Sequence, residues 1–174
     1  SFITTNLGLS LALMGKKTVV IAADMRKPRL HKAFGIPGNK GLSQILIGKL
    51  PWQETVINTD FDNLYIVPPG PIPPNPAELL LNGVFSKMIE EMRHTYDYIL
   101  IDTPPLGLIS DAEIMADYAD LSLFVVRHDY SLKEAVEKIL GPINQQSKFW
   151  PAAVVFNGLK TRGMTKYGRG YGYG

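Results

Sequence analysis

The sequence predicts an α/β fold, a mostly parallel sheet with helices on both faces. Three observations carry this. Short, continuously apolar, β-branched runs recur along the chain, and such runs suit strands covered on both faces better than half-exposed ones. Segments with apolar residues at helical spacing lie between them, the alternation of parallel strands joined by helical crossovers. Two of the runs end in an aspartate, at the strand end where open parallel sheets place their ligands.

Residues 2–14 open the chain as a helix, with Leu7, Leu11 and Met14 on one face. "KTVVIAAD" (17–24) reads as a buried strand, and "LSQILIG" (42–48) as a short helix closed by glycine. "NLYIVPPG" (63–70) is a second strand. Residues 84–93 form an amphipathic helix through Val84, Phe85, Met88, Ile89 and Met92. "YDYILIDTPP" (96–105) is the clearest strand, closed by Pro104. "DLSLFVVR" (120–127) and "PAAVVFNG" (151–158) complete five strands, separated by a helix over 132–143. The expected organisation is one domain over 1–159 and a flexible tyrosine-rich tail over 160–174, with no internal repeat and no interdomain linker.

The bulk numbers narrow the function. With 174 residues, 45% hydrophobic and 20% charged, the chain can bury a real core and is not a disordered polymer. It has no cysteine, which excludes a disulfide framework and thiolate metal sites. No apolar run reaches the length of a membrane span, and no signal peptide is recognisable. The net charge of +2 is unevenly spread: Lys160, Arg162, Lys166 and Arg169 lie in the last 15 residues with no acid beside them. The first 159 residues therefore carry 14 basic and 16 acidic side chains, with no basic face that suggests nucleic acid. His31, His94 and His128 lack metal-ligand spacing, and Trp52 and Trp150 read as core or interface residues.

Asp24 follows "VVIAA" and Asp102 follows "YILI". A carboxylate at a strand end can hold Mg²⁺, which takes one or two carboxylates together with phosphate oxygens and water. Each aspartate alone reads rather as a cap or turn residue; together they point to a nucleotide site. Ser1, ahead of an apparent helix, is placed like the hydroxyl residue of a P-loop, Gly-x-x-x-x-Gly-Lys-Ser/Thr. The P-loop glycines, its lysine and the strand before them are expected upstream of these 174 residues.

The chain ends "TKYGRGYGYG", with Tyr167, Tyr171 and Tyr173 flanked by glycines that are costly to order. Three readings stand at this point: an ordinary mobile terminus, a nucleic-acid arm, or a set of tyrosine substrates.

Taken together, "SFITTNLGLSLA", "VVIAADMRKPRLHKAFG", "GLSQILIGK", "PPGPIPPNPAELL", "YILIDTPP" and the glycine-spaced tyrosines resemble the bacterial tyrosine kinases of capsule and exopolysaccharide synthesis, the BY-kinases. The resemblance covers nearly the whole chain. It implies a three-layer P-loop NTPase-like fold, ATP and Mg²⁺ as cofactors, and autophosphorylation of the tail in trans. By matched position Ser1 and Asp102 are Mg²⁺- or phosphate-side residues. Asp24 corresponds to the second aspartate of the Walker A′ segment, and Asn157 to an asparagine that contacts adenine, or else to a turn residue before Gly158. Tyr167, Tyr171 and Tyr173 become phosphoacceptors.

The implied partners are copies of the chain in a ring, a membrane polysaccharide co-polymerase in cis or in trans, and a protein-tyrosine phosphatase, at the cytoplasmic face of the inner membrane. No nucleic-acid partner is implied. One position departs from the family. Where its members commonly have Asp-x-Asp, this chain has Ala22 before Asp24. That substitution keeps a second reading open, a non-catalytic assembly or regulatory module of polysaccharide export. A partition-type P-loop ATPase is a third reading, but it has no use for the tyrosine tail.

Overall fold

The computed structural model describes residues 1–106 and 111–159. Its first half runs α1 (Phe2–Leu13), β1 (Thr18–Ala22), α2 (Leu30–Ala33), α3 (Leu42–Leu46), a 3-10 turn (Trp52–Glu54), β2 (Ile57–Asn58) and β3 (Leu64–Val67). Then follow α4 (Pro76–Leu80), α5 (Val84–Arg93), β4 (Tyr98–Asp102), α6 (Asp111–Ala116), β5 (Ser122–Arg127), α7 (Lys133–Leu140) and β6 (Ala152–Asn157). The five strands read from the sequence are all present. The antiparallel β2, the short α2 and α4, and α6 are additional. The tyrosines of the tail lie outside the described residues.

The chain divides into two compact units, Ser1–Asp120 and Leu121–Gly174. In the first, four strands lie in the order β2-β3-β1-β4. β1 is central and wholly buried, parallel to β3 on one side and to β4 on the other. β2 closes the far edge, antiparallel to β3. In the second unit β5 and β6 pair in parallel through six register partners, from Ser122 with Ala152 to Arg127 with Asn157, with α7 between them in sequence.

Alternation along β1 builds the layers. Val19 and Ile21 enter one apolar cluster with Leu46, Phe85, Met88 and Met92. Val20 and Ala22 enter another with Ala12, Leu30 and Ile66. Successive side chains of a strand point to opposite faces, so one five-residue run covers both. α5 buries Phe85, Met88, Ile89 and Met92, as its spacing predicts.

α1 departs from its expected face. Met14 is exposed, and the positions α1 buries are Gly8 and Ala12. A Cβ at Gly8 would stand 2.9 Å from Val20 Cγ2 and 3.3 Å from Leu64 Cδ1. The helix approaches the sheet too closely for large residues on that line, so the small ones mark the contact, and hydrophobic spacing does not register them.

Candidate active site

β4 delivers Asp102 at its carboxyl end, and α1 begins beside it. Ser1 is the N-cap of α1, yet its hydroxyl makes no capping bond. Its Oγ instead donates to Asp102 Oδ2 at 2.6 Å. One turn along, Thr4 Oγ1 donates to Asp102 Oδ1 at 2.8 Å. Residues three apart share a helix face, so the start of α1 presents two hydroxyls to one carboxylate. Asp102 is only 5% exposed. It is held by hydroxyls and faces the end of α1 where the helix dipole favours negative charge.

Asp102 has a register partner on β1, Ala22. Paired residues of adjacent strands point to the same face, about 4.8 Å apart. The position where the BY-kinases commonly carry a further aspartate is thus beside Asp102 and occupied by a methyl group.

Asp24 lies two residues past β1. Its Oδ1 accepts from the backbone N–H of Arg26 at 3.2 Å and of Lys27 at 3.0 Å, so it acts as a turn residue. Hydrogen bonds among the described residues do not join it to Ser1 or Asp102. Arg26 grips Asp111 through Nε at 3.1 Å and Nη2 at 3.3 Å. Asp111 is 1% exposed and stands in the first turn of α6. This pair ties the loop after β1 to the helix that follows β4, and Asp111 keeps the Arg26 guanidinium firmly protonated.

Asn157 ends β6, where its carbonyl accepts from the His128 N–H at 2.9 Å. It belongs to the second unit. Ser1, Thr4 and Asp102 are thus joined by hydrogen bonds, and Asp24, two residues past β1, is not among their partners. Sequence reading missed Thr4, whose signal was its spacing of three from Ser1, and the Arg26–Asp111 pair, for which adjacent sequence carries no signal.

The donor set suits Mg²⁺. Ser1 Oγ and Asp102 are hard oxygen donors, and Mg²⁺ binds by one or two carboxylates plus phosphate rather than in an all-protein cage. Thr5 Oγ1, in the same turn, is buried with no partner among the described residues. Those residues hold no group of three or more His, Cys, Asp or Glu placed for a metal, and a phosphate-shared Mg²⁺ site needs none.

Comparison with known proteins decides the family. Residues 2–150 match the AAA domain model of the AAA_31 family. The chain is 35% identical over 164 residues to the tyrosine-protein kinase YwqD of Bacillus subtilis, covering 94% of this chain and 68% of YwqD. The chain belongs to the bacterial tyrosine-protein kinases. It is also 40% identical over 148 residues to the tyrosine-protein kinase CpsD of Streptococcus agalactiae, covering 84% of this chain and 64% of CpsD. It therefore spans a little under two thirds of that relative. Among solved structures, the kinase domain of Escherichia coli tyrosine kinase ETK superposes with a TM-score of 0.87 at 28% identity, covering 99% of this chain and 67% of that one. The MinD cell division protein of Aquifex aeolicus reaches 0.69 at 26% identity, over 90% of this chain and 62% of MinD. The fold is therefore P-loop NTPase-like, with its sheet largely parallel. Among the described residues no helix is long and apolar enough to cross a membrane.

Proposed function

We propose that this chain is the catalytic part of an ATP-dependent protein-tyrosine autokinase. The Ser1–Asp102 hydrogen bond at the start of α1 carries the reading, because it gathers a hydroxyl and a carboxylate where a nucleotide phosphate is held in this fold. Phosphoryl transfer asks a protein mainly for positioning and charge neutralisation. Ser1 and Asp102, with Asp24 on the neighbouring strand end, would hold Mg²⁺. The ion would supply charge neutralisation on the phosphates. Asn157 would contact the adenine.

Tyr167, Tyr171 and Tyr173 of a neighbouring copy are the acceptors. The phenolic oxygen forms its bond to the γ-phosphorus as the bond to the β,γ-bridging oxygen breaks. ADP leaves with that electron pair, and the phenolic proton is lost to water. Residues 1–159 act together as the nucleotide-binding domain and 160–174 as its substrate tail. The partners are further copies in a ring, a membrane polysaccharide co-polymerase that places the domain at the cytoplasmic face of the inner membrane, and a phosphatase that resets the tail. Tail phosphorylation thereby regulates capsule or exopolysaccharide polymerisation and export.

Ala22 favours a second reading, an assembly module that regulates export without catalysis. Incubating the full-length protein with Mg-ATP and probing for phosphotyrosine separates the two. The kinase reading expects a signal that Tyr167→Phe, Tyr171→Phe and Tyr173→Phe together abolish. A silent wild type supports the assembly module.

A further inference from the structure

An open cleft of about 440 Å³, lined by neither Ser1 nor Asp102, lies between the 27–32 segment after β1 and the 69–72 turn after β3; its Lys27 is the residue whose backbone N–H donates to Asp24. That volume is within the range of small-ligand clefts, roughly 300–1,000 Å³. Lys27, Arg29 and Lys32 line it, with no carboxylate among the lining residues. None of the three has an ion pair among the described residues. His31 lines the same cleft, is 7% exposed, and its Nδ1 has no hydrogen-bond partner among the described residues. The cleft thus carries positive charge with no carboxylate to offset it.

The opposite wall is apolar and preformed. Pro71 and Ile72 face solvent, Ile72 at 65% exposure. Behind them the chain is pinned to the start of α3: Leu42 N–H donates to Pro68 at 2.8 Å and Ser43 N–H to Pro69 at 3.0 Å. Gly41 sits against the Pro68 carbonyl with no room for a Cβ. Proline also fixes the backbone dihedral of the wall, so little entropy is lost there on binding.

An apolar wall in one cleft with three cations that have no ion pair among the described residues fits an aromatic ring that carries a phosphate. We propose that this cleft binds phosphotyrosine, and that its occupant is the phosphorylated 165–174 segment. The inference rests on the kinase reading for the source of the phosphate. Charge decides between the two forms of the segment. The unmodified 165–174 segment carries +2 in side chains, from Lys166 and Arg169, which the cleft repels. Three phosphates at roughly −1.5 to −2 each reverse that sign. The cleft thus receives the product, not the acceptor.

Synthetic peptides of sequence TKYGRGYGYG, with and without phosphate on the tyrosines, test this on the full-length protein without requiring it to phosphorylate anything. The phosphopeptide is expected to bind at least about tenfold more tightly than the unmodified peptide, a difference of about 1.4 kcal/mol. Arg29→Glu with Lys32→Glu, both at exposed positions, is expected to remove that preference. Asp102→Asn is expected to keep it, so a failed kinase reading and a failed cleft remain distinguishable. ATP and inorganic phosphate serve as competitors, because they share the phosphate chemistry. Equal binding of both peptides, wild-type binding by the charge-reversed variant, loss of binding in Asp102→Asn, or displacement by inorganic phosphate at the phosphopeptide's own concentration would each overturn the assignment.

Discussion

Ala22 and Asp102 are register partners at the carboxyl ends of adjacent parallel strands, both buried and both directed at the α1 face of the sheet. A carboxylate at position 22 would stand about 5 Å from Asp102. At an effective dielectric near 20 two such charges repel by about 3 kcal/mol. Ala22→Asp is therefore expected to lower the melting temperature by roughly 5–10 °C in chelator. Millimolar Mg²⁺ should recover most of that loss and raise autophosphorylation above the wild-type level. An equal loss with and without Mg²⁺ in thermal denaturation would show that position 22 does not face a metal site.

Arg26 and Asp111 give a prediction about the scaffold. Asp111 is buried, while the Arg26 side chain is 38% exposed. Breaking a fully buried pair by removing one partner costs about 3–5 kcal/mol, and solvent at Arg26 reduces this to about 2 kcal/mol. Arg26→Met should show that loss in urea denaturation. Adding Asp111→Leu should restore part of it, because no uncompensated carboxylate remains. A double variant no more stable than the single one would mean that the pair does not constrain the loop.

His31 gives a pH prediction. Burial, and secondarily the charge of Lys32, push its pKa below the ordinary 6.5. Lys27 and Arg29 share the cleft with it and add positive charge on the same side. The folded protein holds His31 neutral, while the unfolded chain takes up the proton near pH 6.5. The contribution of His31 is thus complete above pH 6.5 and is lost as pH falls below that value toward the folded pKa. His31→Gln should flatten the fall in melting temperature between about pH 7 and pH 5. Parallel curves for the two proteins would contradict this.

β1 was legible because burial on both faces leaves a continuous apolar run; β5 and β6 were legible from their apolar, β-branched residues although no residue of either is buried. α5 was legible because one face meets the core and the other meets water. α1 was legible as a helix but not in its orientation, since its contact runs along Gly8 and Ala12. β2, two residues long, is defined by its pairing with β3, which local sequence does not record. The site divides similarly. Asp102 and Ser1 could be read from strand ends and motif. Thr4 required the helix face, and Arg26–Asp111 joins positions 85 residues apart. The same limit hid the cleft, whose walls come from the loops after β1 and β3.

The central claim is that Asp102, held by Ser1 and Thr4, is part of a working phosphoryl-transfer site. The direct measurement is the initial rate of Mg-ATP-dependent tyrosine phosphorylation in the full-length protein, wild type against Asp102→Asn. Loss of a metal-holding carboxylate predicts a fall of at least about tenfold, with fold and tail unchanged. A wild-type rate in Asp102→Asn would remove Asp102 from the site and contradict the account.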